Sequence, residues 1–357
     1  MEFDPKQDEK IQKLENILKE SNENSKALIL THAKPDIDAL ASQYTWSFIL
    51  SNRFNINNEI ASQGYVDHPS SEYLQKILNS HYETQPKKIK EINIKDYDLI
   101  FLFDTNPSLI QICPLNPNQI KENKDKIIVI DHHKKSKEHK KQNILLEDIN
   151  NEDISSTSTR IIEYLKAWDI KFDTTKEEHK LLATSLKIGL DIDTLNSIQK
   201  GRDYLSMAYI SEAINNNLYS STRYRPFTEQ EQTGIANGIS NRVKVDTFVI
   251  GCAGYLISSN KATIAELAES LIREQGFDTG IGSAIIDNKL EISIRTNNEA
   301  SKSAETIASW FGGLGRIYAG GATRELGILS EFPSDTEEVI NVCQDYLKMV
   351  VKKNLGK

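Results

Sequence analysis

The sequence predicts an α/β protein with two domains: an N-terminal doubly wound, mainly parallel sheet and a smaller α/β domain after it. Three observations carry that reading. Short apolar runs alternate with helical patterns through the first half; a polar Asn/Ser/Thr/Arg-rich stretch interrupts them; a shorter set of strand and helix patterns follows. The 357 residues suffice for two or three domains of about 150 residues, each able to bury a core.

Taken in order, residues 11–19 have a helical pattern, and 26–31 (KALILT) form the first apolar run. Residues 39–50 are helical, and 98–103 (DLIFLF) and 126–130 (KIIVI) are further apolar runs. Such nearly continuous runs suit strands buried on both faces of a parallel sheet. Helical patterns return over 155–168, where Ser155 and Ser156 are natural N-caps, and over 178–189. This is βαβ alternation, which builds an open sheet with helices on both faces. Residues 215–231 (NNNLYSSTRYRPFTEQE) offer few apolar anchors and carry Pro226. They read as a hinge, so domains 1–214 and 245–357 are expected to flank a linker over 215–244. Beyond it come a strand at 248–257, a helix at 262–274, and a strand pair at 282–286 and 290–295 around a tight Asp287-Asn288 turn. A helix at 304–310, a glycine-rich stretch and an amphipathic helix at 335–351 complete the chain.

Composition narrows the function classes. A formal charge of −8 argues against coating long nucleic acid through bulk charge. No apolar stretch approaches the ~20 residues of a membrane span. Residues 1–10 lack an apolar leader core, so no secretory signal is expected. Cys113, Cys252 and Cys343 are scattered, forming neither a disulfide framework nor a zinc site, which fits a cytoplasmic protein.

The chemistry lies at the ends of the predicted strands. The first runs into Thr31-His32-Ala33-Lys34-Pro35-Asp36-Ile37-Asp38, the second ends at Asp104, and the third ends at Asp131-His132-His133. Asp191-Ile192-Asp193-Thr194 closes the helix begun near 178. In an open parallel sheet the loops after neighbouring strands meet in one crevice, so these residues predict one site. Carboxylates mixed with imidazoles, without thiolates, suit divalent ions such as Mn²⁺. Two such ions can clamp the attacking and leaving oxygens of a phosphoester.

In that order, His32 to Ala39, Asp104, Asp131-His132-His133 and Asp193 resemble the four motifs of the DHH phosphoesterase family. That family includes RecJ-like nucleases, nanoRNase/phosphoadenosine-phosphate phosphatases, cyclic-dinucleotide phosphodiesterases and type II pyrophosphatases. The resemblance implies two Mn²⁺ ions. His32, Asp36 and Asp104 would hold one, and Asp38, Asp104, His132 and Asp193 the other, with Asp104 bridging. It also implies that His133 faces the substrate phosphate and that Asp131 orients the imidazoles. Asp104, Asp131, His132 and His133 are thus the expected catalytic group. In the fourth motif Asp193 matches better than Asp191, which stands as an extra acid.

The second domain carries Ser293-Ile294-Arg295-Thr296 and then Gly312-Gly313-Leu314-Gly315-Arg316-Ile317-Tyr318-Ala319-Gly320-Gly321. Five glycines in those ten residues, 312–321, either present backbone N–H groups to an anion or pack tightly under a helix. The stretch resembles the DHH-associated C-terminal domain, with Arg316 where many bacterial members have His. That likeness adds Arg295, Gly313, Gly315, Arg316, Gly320 and Gly321 to the substrate-binding role that the first-domain motifs imply for His133. The function expected is Mn²⁺-dependent hydrolysis of short substrates, such as nanoRNA, dinucleotides or cyclic di-adenylate, to mononucleotides. A phosphatase acting on 3'-phosphoadenosine 5'-phosphate or a pyrophosphate is the alternative. A catalytically silent nucleotide-binding or replication-associated protein is the alternative from another class. No membrane partner is expected, and a homodimer is left open. Arg223 and Arg225 fall in the hinge, and the lysine-rich run 132–141 reads as a solvated loop.

Overall fold

The structure is a computed structural model. It describes the chain except residues 1–2, 22–23, 64–65, 67–68, 83–85, 110–111, 134–142, 151, 195–199, 316, 334–335 and 357. The chain divides into two units, Met1–Arg225 and Pro226–Lys357.

The first unit runs α1 (Glu9–Glu20), β1 (Lys26–Thr31), α2 (Ile37–Arg53), β2 (Asn57–Ser62), α3 (Pro69–Tyr82), β3 (Lys87–Lys88), β4 (Leu99–Phe103), α4 (Pro117–Asn123), β5 (Ile127–Asp131), β6 (Leu146–Ile149), α5 (Thr157–Ala167), α6 (Glu177–Asp193), α7 (Gly201–Ile210) and α8 (Asn216–Arg223). Its strands form one sheet in the order β3-β2-β1-β4-β5-β6, and every pairing is parallel. The apolar runs 26–31, 98–103 and 126–130 become β1, β4 and β5, the buried centre of that sheet. Alternate side chains feed two cores. Ile29, Phe101, Phe103, Ile128 and Ile130 pack with α1, α2, α5 and α6, while Leu28, Leu30, Ile100, Leu102 and Val129 pack with Ile94, Leu115 and Ile120. The chain winds outward from β1 to β3, then returns to place β4 beside β1. That reversal is the topological switch point, where an open α/β sheet leaves a crevice at its carboxyl edge.

Trp46 of α2 fastens the helix layer to the sheet. Its ring centroid lies 5.3 Å from Phe101, 5.4 Å from Phe103, 5.3 Å from Tyr164 and 5.8 Å from Trp168. The same contacts set α2 and α5 over β4. His179, which its polar neighbours place on the surface, is instead buried. Its Nδ1 accepts the Asp173 N–H at 2.7 Å, and its ring packs edge-on to Phe48 at 5.0 Å.

The second unit runs α9 (Glu229–Ser240), β7 (Val243–Val245), β8 (Phe248–Tyr255), α10 (Thr263–Leu271), β9 (Thr279–Ile286), β10 (Lys289–Thr296), α11 (Ala304–Trp310), β11 (Leu314–Gly315), β12 (Ala319–Glu325) and α12 (Glu337–Asn354). The sheet order is β11-β12-β10-β9-β8-β7, with β8 and β9 parallel and the other pairs antiparallel. The expected strand pair is a hairpin. Asp287 and Asn288 both lie in the left-handed region, at φ 48° and 59°, as a two-residue type I′ turn requires. The parallel β8–β9 step is bridged by α10, which lies directly on β9: a Cβ at Gly282 would stand 2.3 Å from the Ile264 carbonyl oxygen.

The polar stretch 215–244 holds two helices and the start of β7. Asn215 caps α8 by accepting the Asn217 and Leu218 N–H groups, and Leu218 and Tyr219 pack on the first core. Thr228 and Glu231 form a reciprocal capping box on α9. Sparse apolar residues suffice because the caps satisfy the helix ends. Among the described residues no helix is long and apolar enough to cross a membrane. Cutting Trp46→Ala should destabilise the first unit by about 3–5 kcal/mol. Urea unfolding followed by far-UV circular dichroism measures this, and a loss under about 1 kcal/mol would contradict the anchoring role.

Candidate metal centre

The ends of β1, β4 and β5 lie side by side, and each delivers polar groups to the switch point. His32 follows β1; Asp36 caps α2 by accepting the Ala39 N–H at 3.0 Å, and Asp38 sits in the first turn of that helix. Asp104 follows β4 with φ 54°, a left-handed conformation uncommon outside glycine. Its N–H donates to the Ile130 carbonyl at 3.1 Å, tying the turn to β5. Asp131 ends β5, His132 and His133 follow it, and Asp193 is the last residue of α6.

These side chains form three overlapping groups, each with ligand atoms within 4.8 Å of one another: His32, Asp36, Asp104; Asp38, Asp104, His132, Asp193; and Asp104, His132, His133. Asp104 belongs to all three and faces both ways. Its Oδ2 lies 3.3 Å from His32 Nε2, and its Oδ1 lies 3.2 Å from His132 Nε2. His132 Nε2 is also 3.0 Å from Asp193 Oδ2 and 3.9 Å from Asp38 Oδ2.

Such residues fit divalent cations. His32 Nε2, Asp104 Oδ2 and His132 Nε2 are buried without a hydrogen-bond partner among the described residues, although each points at the shared centre. Donor atoms held about 2.0–2.2 Å from one ion lie about 3.0–3.6 Å apart, close to the separations seen. The charges agree. Burial, with the Asp193 and Asp104 carboxylates, pushes Asp38 well above the usual carboxylate range. Burial opposes charge on His32, yet Asp104 and Asp36 raise it to about 10. Burial likewise opposes charge on His132, and Asp193 and Asp104 raise it well above its ordinary value. Asp104 moves the other way: burial would raise it, but His133, His132 and His32 hold it well below the usual range. A pocket that draws protons onto its imidazoles and onto one carboxylate is short of positive charge.

A surrounding set of bonds fixes these ligands. Asp38 accepts the Thr157 N–H on Oδ2 and the Ser158 N–H on Oδ1, both at 2.7 Å, so it grips the N-terminus of α5. The Thr157 hydroxyl donates to Asp104 Oδ1 at 3.1 Å. Asp131 takes the His132 and His133 N–H groups and His133 Nδ1, the last at 2.7 Å. On its other oxygen it accepts Asn106 Nδ2 at 2.6 Å. Asp191 faces elsewhere, paired with Lys187 at 2.6 Å and accepting the Tyr219 hydroxyl at 2.7 Å. Asn106 is an addition that the motifs do not contain; Thr157 and Ser158 lie in the serine/threonine-rich helix start that resembles the family's, and Gly189 opens the fourth motif, each with a contact that its motif does not specify. A Cβ on Gly189 would stand 2.6 Å from Ser158 Oγ and 2.8 Å from Asp38 Cα, so only glycine lets α6 come this close.

In the second unit, Arg295 is partly buried on β10. Its Nη1 donates to Ser293 Oγ and to the Ile294 carbonyl, each at 3.1 Å, and its Nε lies 3.5 Å from Glu269. Gly313, Gly315 and Gly320 each meet a packing demand. An added Cβ would come within 2.1 Å of the Gly321 carbonyl oxygen, 2.8 Å of the Ala319 carbonyl oxygen and 2.7 Å of the Ala304 carbonyl oxygen, respectively. Gly321 is different: its Cβ would meet only the Ile292 carbonyl oxygen, at 3.4 Å. Arg316, His68, His139 and the lysines of 134–141 lie outside the described residues.

Two outcomes are expected. Mn²⁺ at about 100 times its dissociation constant should stabilise the chain by about 2.7 kcal/mol, read as a rise in Tm that a chelator reverses. Gly189→Ala should weaken Mn²⁺ binding by about tenfold or more in calorimetric titration, because it displaces Asp38. Unchanged affinity in that variant would show that the close approach of α6 does not shape the centre.

A family model described as DHH family, N-terminal domain matches residues 26–190. An uncharacterised protein of Methanocaldococcus jannaschii is 24% identical over 344 residues, which cover 95% of this chain and 66% of that protein. The chain thus spans just under two thirds of that relative's length. In fold it is similar to an exopolyphosphatase-related protein from Bacteroides fragilis, with a TM-score of 0.68 at 16% identity, over 95% of this chain and 97% of that one. It is also similar to RecJ in complex with Mn²⁺ from Thermus thermophilus, with a TM-score of 0.51 at 11% identity, over 92% of this chain and 56% of that one. Residues 26–190, which hold His32, Asp36, Asp38, Asp104, Asp131, His132 and His133, match the DHH family N-terminal domain.

Proposed function

We propose that the protein is a Mn²⁺-dependent phosphodiesterase that hydrolyses short oligonucleotides or dinucleotides, nanoRNA and cyclic di-adenylate among them, to mononucleotides. The observation that carries this is Asp104, whose two oxygens are divided between the His32 and His132 groups, an arrangement that suits a carboxylate shared by two cations. The DHH domain supports it, as does the likeness in fold to a RecJ that binds Mn²⁺. Two divalent cations in such a centre supply Lewis-acid charge for a phosphoester and lower the pKa of water.

The residues of the chain do the rest. His32, Asp36, Asp38, Asp104, His132 and Asp193 hold the cations. Asp131 holds His133 Nδ1, which fixes the ring so that Nε2 can serve the substrate phosphate. Arg295, steadied through Nη1 on Ser293 and Nε on Glu269, has Nη2 to offer a terminal phosphate, and Gly321 leaves the strand beside it without a side chain. A grip on one end favours short substrates. The two alternatives, a phosphatase and a silent binding protein, are separated from this reading by assay and metal content.

Purified protein with Mn²⁺, offered nanoRNA, linear dinucleotides, cyclic di-adenylate and 3'-phosphoadenosine 5'-phosphate, should release mononucleotides from one or more of the first three. Asp104→Ala should reduce that release to background. Turnover of the bisphosphate alone would favour the phosphatase, and no turnover of any phosphoester would sink the proposal. Arg295→Ala should raise KM about 10–100-fold with kcat largely kept, the cost of one charged hydrogen-bonding partner. An unchanged KM would remove Arg295 from the substrate site.

A further inference from the structure

The first turn of a helix has N–H groups that no intrahelical carbonyl can accept, and in α5 each of the first three has a partner. Thr157 and Ser158 donate to Asp38, and Thr159 donates to Ser156 Oγ at 3.1 Å. Just upstream of the helix, the Ser155 N–H donates to Asp203 Oδ1 at 3.1 Å, and the Thr159 hydroxyl donates to the same oxygen at 2.7 Å. Asp203 comes from the first turn of α7 and is fully buried. Two carboxylates thus hold this turn: Asp38, which faces the candidate cations, and Asp203, which belongs to none of the ligand groups.

We infer that Asp203 is a positioning residue that sets the cation affinity of the centre through Thr157. Thr157 holds two carboxylates of the His132 group, with its N–H on Asp38 Oδ2 and its hydroxyl on Asp104 Oδ1, so a shift of this one residue moves both. Asp203 fixes that residue from both sides in sequence, at Ser155 and at Thr159. Both bonds, 3.1 and 2.7 Å long, join α7 to the start of α5 and converge on one oxygen of the buried Asp203. The inference rests on the metal-dependent reading and deepens it, because it identifies what controls cation affinity from outside the ligand set.

A neighbouring tie supplies the control. Arg202, also in α7, binds Glu163 further along α5 through Nε and Nη2, each at 2.6 Å. If general attachment of α7 to α5 were all that mattered, cutting either tie would have the same effect. Since Asp203 Oδ1 alone takes both hydrogen bonds, Asn can replace it with its amide oxygen, whereas Ala cannot.

The experiment is calorimetric titration of the full chain with MnCl₂, with substrate KM measured at saturating Mn²⁺. Asp203→Ala should lose about 10–100-fold in Mn²⁺ affinity, the usual effect of removing a partner that orients a ligand. Asp203→Asn should stay close to wild type, and Arg202→Gln should keep its affinity while lowering Tm. KM at saturating Mn²⁺ should not change in any of the three. If Asp203→Ala does not fold, Thr159→Val removes one of the two donors with little change of shape and should show a smaller loss in the same direction. Wild-type affinity in Asp203→Ala, or an equal loss in Arg202→Gln, overturns the inference and leaves the metal centre standing. Absence of Mn²⁺ binding by the wild-type chain overturns the metal centre and this inference with it.

Discussion

The structure of the first unit turns on the repulsion among Asp36, Asp38, Asp104 and Asp193, gathered at the carboxyl edge of a parallel sheet. Asp38 and Asp104 are fully buried, and the strands beneath them are lined by Ile, Leu, Phe and Val. In such surroundings like charges a few ångströms apart interact far more strongly than in water. The cluster persists only if positive or hydrogen-bonding groups meet it from every direction. His32 and His132 do so from the strand ends, the N-terminus of α5 does so through two backbone N–H groups, and cations complete the balance. The doubly wound order allows this because β1 and β4 lead away to opposite sides of the sheet, leaving their ends open to ligands.

From that constraint follows a graded set of supports. Two of the carboxylates at the centre are fixed by neighbours: Asp38 by the start of α5, and Asp131 by Asn106, which is itself held by the Ser108 N–H at 3.0 Å. The left-handed turn at Asp104 is the conformational cost of aiming one side chain at both groups, and the Ile130 carbonyl and Thr157 hydroxyl hold it in place. Trp46 and its aromatic neighbours prevent α2, and Asp38 with it, from drifting away from β4.

How much of this the sequence reveals depends on which atoms do the work. β1, β4 and β5 are legible because strands buried on both faces must be apolar throughout. β2, which reads Asn-Asn-Glu-Ile-Ala-Ser, and β6, which reads Leu-Glu-Asp-Ile, are not, because they lie toward the sheet edges and tolerate polar residues. The helices within 215–244 are hidden because the residues they bury are Thr222, Glu231, Gly234 and Gly238 rather than large apolar ones, although Thr228 and Glu231 are a capping signature in plain view. The candidate ligands are legible because side-chain chemistry at strand ends leaves a pattern. Thr157 and Ser158 act on Asp38 through backbone N–H groups that every residue type but proline possesses, so nothing in their letters reveals it. Gly189 acts by having no side chain, which becomes visible only once Asp38 and Ser158 are seen around it.

The glycines of the second unit carry the same point further. A glycine-rich string marks a close approach, but it does not say whether the approaching body is a ligand or another part of the chain. At Gly313, Gly315 and Gly320 it is the chain, since carbonyl oxygens of Gly321, Ala319 and Ala304 occupy the space a Cβ would need. These three are accounted for by the pairing of β11 with β12 and by α11 lying across them. Gly321 faces no comparable demand, and in register it sits opposite Ser293, two residues from Arg295 along β10. Packing therefore gives three of these glycines a structural reason, a demand that Gly321, beside the Ser293–Arg295 strand, does not face. There an exposed glycine and a steadied guanidinium share one face of the sheet.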